Sequence, residues 1–149
     1  MTADKIKRML DACYLAKRTR ELLPALPEGV TSAYIQYMDV IQQLQGQGRK
    51  VKVSDISDTL KLPRPGVTRT VKEMEKKGYL QKTTSEEDGR ITYLILTEKG
   101  RELSEKYDKN YYSQLLQYMD DISEEEADIM IHTIEKFYRV ISERRIHIE

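Results

Sequence analysis

The chain has 149 residues, 39% hydrophobic and 34% charged, with 25 Lys/Arg balanced by 25 Asp/Glu. That suffices for one compact domain, or a small one with a helical extension, and its apolar runs fall short of the roughly 18–20 residues needed to cross a bilayer. The first ten residues lack a secretory signal, and the single cysteine, Cys13, cannot close an intramolecular disulfide, so a cytoplasmic protein without a membrane partner is expected.

Residues 4–23 place Ile6, Met9, Leu10, Cys13, Ala16 and Leu23 near a 3.6-residue period, predicting an amphipathic helix. Pro24, Pro27 and Gly29 break it. A second helix is expected from an N-cap at Thr31 to about Leu44, with Tyr34, Ile35, Met38, Ile41 and Leu44 on one side. A short helix near 54–60, a tight turn at 61–63 and a helix from Arg64 to Lys77 follow, the last stopped by Gly78. Segments 79–85 and 90–96 flank Asp88-Gly89, which signals a hairpin.

Two helical segments close the chain. The first is expected over 98–119, with Leu103, Tyr107, Tyr111, Leu115 and Met119 spaced by four. The second opens with a capping box, Ser123 and Glu126, and carries the stripe Ala127, Met130, Ile131, Ile134, Phe137, Tyr138, Ile141. With the apolar face of the first helix, this is more than a small domain needs to cover. A helical dimer interface built from both termini is therefore expected.

Charge is unevenly spread. Arg49 to Lys82 holds ten Lys/Arg against four Asp/Glu, a net +6, whereas Arg101 to Glu149 holds seven against twelve, a net −5. A basic middle and an acidic C-terminal third point to two jobs on one chain.

Short helix, turn, second helix and hairpin, in that order, describe a winged helix-turn-helix. The expected fold is mainly α with a small β-hairpin wing and terminal dimerisation helices. Its domains would be an N-terminal helix and linker (1–30), a DNA-binding domain (31–100) and C-terminal helices (101–149). The second helix of the pair would enter the major groove, where base edges are distinguishable. Its first turns carry Arg64, Pro65, Val67, Thr68, Arg69, Thr70 and Lys72; the arginines suit guanine edges or phosphates, and Val67, Val71 and Met74 are expected to face inward. At the hairpin tip Arg90 would reach a minor groove, with Asp88 pairing it or holding the turn. Read alone, either element is also an ordinary solvated helix face or acidic turn.

The stretch 62–100 resembles the MarR (multiple antibiotic resistance regulator) family. A recognition-helix pattern P-x-V-T-R-x-V-x-x-x-E-x-x-G is met by Pro65, Val67, Thr68, Arg69, Val71, Glu75 and Gly78. A D-x-R wing is met by Asp88 and Arg90, and a following L-T-x-x-G by Leu96, Thr97 and Gly100. Pro63 departs from the polar cap usual before that helix, which leaves the helix start open. The resemblance implies a homodimer that binds double-stranded DNA at a palindromic operator, a repressor by expectation, released by a small ligand or an oxidant.

Tyr14, Tyr34 and Tyr37 are candidates to line a pocket for an aromatic or phenolic ligand, or simply half-buried helix residues. Cys13 is a candidate redox sensor, since one subgroup of the family senses organic hydroperoxides through a first-helix cysteine; the favoured reading is a small packed hydrophobe. His132 and His147 are too far apart for a local metal motif, so no metal and no cofactor are expected. Phosphate loops, nucleophile elbows and ligand clusters are missing from the sequence, which speaks against an enzyme. The rival reading is a winged helix that binds protein.

Overall fold

The computed structural model describes residues 1–146 of the chain; His147 lies outside them. The residues divide into two compact units, 1–108 and 109 onward.

The first unit is built around one helix. It contains α1 (Ala3–Glu21), α2 (Ser32–Gly46), α3 (Val53–Leu60), α4 (Arg64–Lys76), the hairpin β1 (Leu80–Thr84) and β2 (Thr92–Leu96), and α5 (Glu98–Ser104). Helix α2 buries Tyr34, Tyr37, Met38, Val40, Ile41 and Leu44. Their i, i+3, i+4 spacing leaves little of the helix outside the core. Around it close Ile56 of α3, Val67, Val71 and Met74 of α4, Leu80, Leu94 and Leu96 of the hairpin, and Leu103 of α5. Each fully buried aliphatic side chain contributes about 1.5–3 kcal/mol.

The hairpin is antiparallel, pairing Leu80 with Leu96 and Thr84 with Thr92. Val51 adds a bridge on the far edge of β2, its carbonyl accepting from Leu94 N at 2.8 Å. The sheet thus gains a short third rung from the loop before α3.

Helix α1 starts at Thr2, whose hydroxyl accepts from Lys5 N at 3.2 Å. Its apolar side chains Ile6, Leu10 and Tyr14 are exposed, while Cys13 is half-buried. Thr31 stands at the N-cap of α2 as expected, but its side chain makes no capping bond; its backbone carbonyl accepts from Tyr34 N at 3.0 Å.

One expectation is corrected. The helix predicted over 98–119 is a succession of α5, a π-helical turn at Glu105–Lys109, α6 (Asn110–Leu115) and a 3-10 turn at Leu116–Tyr118. Residues spaced by four drift about 40° per step round an α-helix of 3.6 residues per turn, and the wider π turn takes up part of that drift. The hairpin expected around Asp88-Gly89 is present. Among the described glycines, positive φ occurs at Gly29, Gly48 and Gly78, not at Gly89, so the connection is not a mirror-image two-residue turn. A wider loop is closed by Ser85 N donating to Ile91 O at 2.9 Å, with the Ser85 hydroxyl accepting from the amides of Glu87 and Asp88. Side-chain acceptors do there what a mirror-image turn would otherwise do.

The second unit holds α6 and α7 (Glu124–Glu143). The predicted capping box is present: Ser123 Oγ accepts from Glu126 N, and the Glu126 carboxylate accepts from Ser123 N at 2.9 Å. The Ser123 N–H, and then its hydroxyl, donate to the Glu126 carboxylate and hold it below its ordinary pKa. Met130, Ile131, Ile134, Tyr138 and Ile141 of α7 are exposed, and Phe137 is half-buried.

Candidate nucleic-acid interface

Helices α3 and α4 meet through a turn that the sequence dictates almost residue by residue. Lys61 takes the left-handed conformation (φ 53°), which ends α3 at a cost of about 1 kcal/mol for a residue with a Cβ. Leu62 N then donates to Ser57 O at 3.0 Å, and the buried Ser57 hydroxyl donates to Leu62 O at 2.7 Å. Pro63 follows with φ −59° and ψ 129°. The doubt raised by Pro63 resolves simply: it caps through its backbone, accepting from Val67 N at 3.3 Å, and α4 begins at Arg64. Pro65 falls in the first turn, where a missing N–H costs nothing.

Once α4 is seated, its faces separate by burial. Val67 (1% exposed), Val71 and Met74 are core. Arg64, Pro65, Arg69 and Lys72 are exposed, and Thr68 and Thr70 half-exposed. Six of the seven predicted recognition-helix residues are thus at least half-exposed, while Val67 seats the helix from within. Gly66 lies in the same first turn, with open space where a Cβ would stand.

In the wing, Arg90 is the most outward cation of the loop, its side chain 92% exposed. Asp88 organises it: Oδ1 accepts from Arg90 N (3.0 Å) and Nε (3.2 Å), and Oδ2 from Nη2 (3.3 Å). The Arg90 guanidinium, and then its backbone N–H, hold the Asp88 carboxyl below the usual aspartate range. Pairing the arginine and holding the turn, posed as alternatives from sequence, are one arrangement.

Two features escaped the sequence. Asp55 reaches back from the first turn of α3 to Lys52 N (2.8 Å) and also accepts from Arg49 Nη2 (3.1 Å). Beside Arg49, a cleft of about 380 Å³ opens between Gln45, Lys50, Thr83, Ser85 and Tyr93, with Lys50 Nζ 5.3 Å from the Tyr93 ring centre. Strand alternation alone places Thr83 and Tyr93 opposite each other on the outer face; the loop that brings Lys50 over them has no local signature.

The second feature is a cluster behind α4. Tyr34, 1% exposed, donates its hydroxyl to Glu73 Oε2 at 3.3 Å and accepts from Lys77 Nζ at 3.0 Å. Lys77 also donates to the carbonyl of Gly29, in the segment between α1 and α2. The Tyr34 hydroxyl bond raises the Lys77 pKa. Tyr79 packs edge-on to Tyr34 at 5.9 Å, and Lys99 Nζ lies 4.4 Å from the Tyr79 ring centre while donating to Lys77 O at 2.7 Å. Of the three candidate pocket tyrosines, Tyr34 and Tyr37 belong to the core and Tyr14, 66% exposed, does not. Among the described residues no three His, Cys, Asp or Glu gather in a metal-binding arrangement, and no helix is long and apolar enough to cross a membrane.

A helix-turn-helix, an exposed basic face on its second helix and an arginine-tipped hairpin define a winged helix-turn-helix protein. The sequence profile of the MarR family matches residues 28–91, spanning α2 to the wing, and over that segment the chain is similar to the MarR family. It is 29% identical over 85 residues to the HTH-type transcriptional regulator YdgJ of Bacillus subtilis, covering 57% of this chain and 52% of that one. It is 29% identical over 92 residues to the transcriptional repressor MprA of Escherichia coli, covering 62% and 52%. The chain thus spans about half the length of the curated relatives it matches. Among solved structures, its fold is similar to that of Streptococcus pneumoniae FabT, crystallised in complex with DNA, with a TM-score of 0.67 at 24% identity over 95% of this chain and 99% of that one.

Proposed function

We propose that the chain is a double-stranded DNA-binding transcriptional regulator, a repressor, that acts as a cytoplasmic homodimer on a palindromic operator. Residues 31–100 read DNA, and helices from 1–30 and 101–149 join the two copies. The observation that carries this reading is the division of α4. Its apolar residues are spent on the core, and Arg64, Arg69 and Lys72 are left exposed on the same compact unit as Arg90. The half-exposed threonines between the cations can read a base edge or a thymine methyl. A DNA complex of FabT and the repressor function of MprA support the reading by analogy.

Release by a small effector belongs to the same proposal, but Tyr34 and Tyr37 are buried in the core while Tyr14 is exposed on α1, so the three do not line one pocket for an aromatic or phenolic molecule. Cys13, half-buried on α1, is read as a packing residue.

The test is selection of duplexes from a random DNA pool, with Arg90→Ala run in parallel. Enrichment of an inverted repeat, weakened in the variant, is the expected result. A wild-type protein that enriches nothing at low salt, where phosphate contacts are strongest, would leave a protein-binding winged helix as the better reading.

A further inference from the structure

Lys77 joins two parts of the chain that share no sequence neighbourhood. It is the C-cap of α4, so its backbone closes the recognition helix. Its ammonium reaches across 48 residues to donate to the carbonyl of Gly29 and also donates to the Tyr34 hydroxyl of α2 at 3.0 Å. Gly29 holds a positive φ of 73°, a conformation in which its carbonyl can turn toward α4 without the Cβ penalty of other residues. The segment that contains it is stiff: Pro24 and Pro27 fix their own φ angles, Val30 N closes a turn on Pro27 O at 3.0 Å, and Val30 packs against the core. A stiff connector transmits position where a flexible one would absorb it.

The contact is also backed from behind. Tyr34 is fully buried and cannot move without opening the core, and Lys99 holds the carbonyl of Lys77 from α5. Lys77 itself is exposed, so solvent could satisfy its ammonium equally well. Its placement on a backbone carbonyl of the α1–α2 connector therefore adds little to the core; what it adds is a fixed relation between that connector and the end of α4.

We propose that Lys77 is a positioning residue that sets which half-site spacing the protein accepts, by tying the carriage of the recognition helix to the connector from α1. This rests on the dimeric DNA-reading function above. In a dimer held through its terminal helices, α4 of each copy must meet the groove at a separation the dimer imposes. A lobe locked to the connector meets one separation well and others poorly. A lobe freed from it swings to meet several.

The experiment measures affinity of the full chain for the selected inverted repeat, for the same repeat with two base pairs inserted or removed, and for a duplex with one half-site. Wild type, Lys77→Met and Lys77→Arg are compared, with melting temperatures alongside. Expected are a wild-type preference for the selected spacing and a loss of about tenfold of that preference in Lys77→Met, the range in which couplings between sites commonly fall. Single half-site affinity should change less than about threefold, since one lobe alone has no spacing to satisfy. Lys77→Arg, which keeps a donor of similar reach, should restore most of the preference. A Lys77→Met protein that discriminates spacings as wild type does, or that loses affinity for all three duplexes in equal proportion with a lowered melting point, overturns the proposal and leaves Lys77 a stabilising contact. If wild type binds the repeat no better than the single half-site, the dimeric reading itself fails and the proposal with it.

Discussion

Asp88 grips Arg90 through both carboxylate oxygens, one on the backbone N–H and Nε, the other on Nη2. The grip fixes the direction of a side chain that is otherwise almost wholly in solvent, so the arginine meets a groove already oriented and loses less rotamer freedom on binding. Arg90→Ala should weaken binding to the selected duplex by about 1–3 kcal/mol and lower the slope of log affinity against log salt by about one. An unchanged slope would place Arg90 away from the phosphates. The pairing also has a pH signature. The folded Asp88 carboxyl sits below its ordinary value, so the ion pair is complete above the usual aspartate range, about pH 4, and is lost only as pH falls through the lower folded value. Followed by carboxyl carbon NMR, Asp88 should stay ionised from pH 7 to 5; titration at or above the ordinary aspartate value would show the wing loop open in solution.

Gly66 gives a prediction in which stability and binding part company. Its φ is not in the left-handed region, and a Cβ there would meet open space, so nothing inside the protein calls for glycine in the first turn of α4. Glycine costs a helix up to about 1 kcal/mol relative to alanine. Gly66→Ala should therefore raise the unfolding free energy by a few tenths to about 1 kcal/mol in urea titration. If α4 enters a groove by its first turns, the added methyl meets the DNA, and affinity for the selected duplex should fall several-fold. Binding that improves along with stability would mean that this turn stays clear of the duplex.

The opposite case is Gly100. A Cβ at this position would fall on the carbonyl oxygen of Tyr79, well inside contact distance, and that carbonyl already accepts from Thr97 N at 3.2 Å. Neither backbone can yield, because Thr97 binds both ends of the junction, accepting from Gly100 N at 3.1 Å and donating to Gly78 O. Gly100→Ala should destabilise the first unit by more than about 2 kcal/mol, the range of overpacking, and Thr97→Ala by about 1 kcal/mol through the lost cap. Val67→Ala, a core truncation on the recognition helix, should cost about 2 kcal/mol, whereas Arg69→Ala should leave the melting point nearly unmoved and act on DNA binding alone.

These cases also show where the sequence was informative. Helix α4 could be placed because its signals are local: Pro63 and Pro65 at one end, Gly78 at the other, and Val67, Val71 and Met74 in phase between them. The roles of Thr97 and Gly100 were visible only as a resemblance, since the carbonyl they enclose lies on the far side of the hairpin. The Lys77 tie to Gly29 and Tyr34 has no periodic or spacing signal, because 48 and 43 residues separate Lys77 from these partners. The π turn at Glu105–Lys109 was hidden for a different reason. Four-residue spacing of Leu103, Tyr107 and Tyr111 looks helical, and only its slow departure from 3.6 hints that the helix must widen.

The apolar stripe of α7 carries the last prediction. Met130, Ile131, Ile134, Tyr138 and Ile141 are each about half exposed, and a contiguous apolar face of that size is uncommon on a monomer. Ile134 and Ile141 stand seven residues apart, hence on one side of the helix. Replacing both with lysine should convert a dimer into a monomer at micromolar concentration in sedimentation velocity, without loss of far-ultraviolet helicity, because lysine is a good helix former on a solvated face. The consequence for DNA should be selective. Affinity for a single half-site should stay within a few-fold of wild type, while affinity for the inverted repeat should fall by about 10²–10⁴, the advantage that linking two binding modules confers. A double variant that remains dimeric would move the interface off this stripe, and one that becomes monomeric yet binds the repeat as tightly as wild type would separate DNA reading from dimerisation altogether.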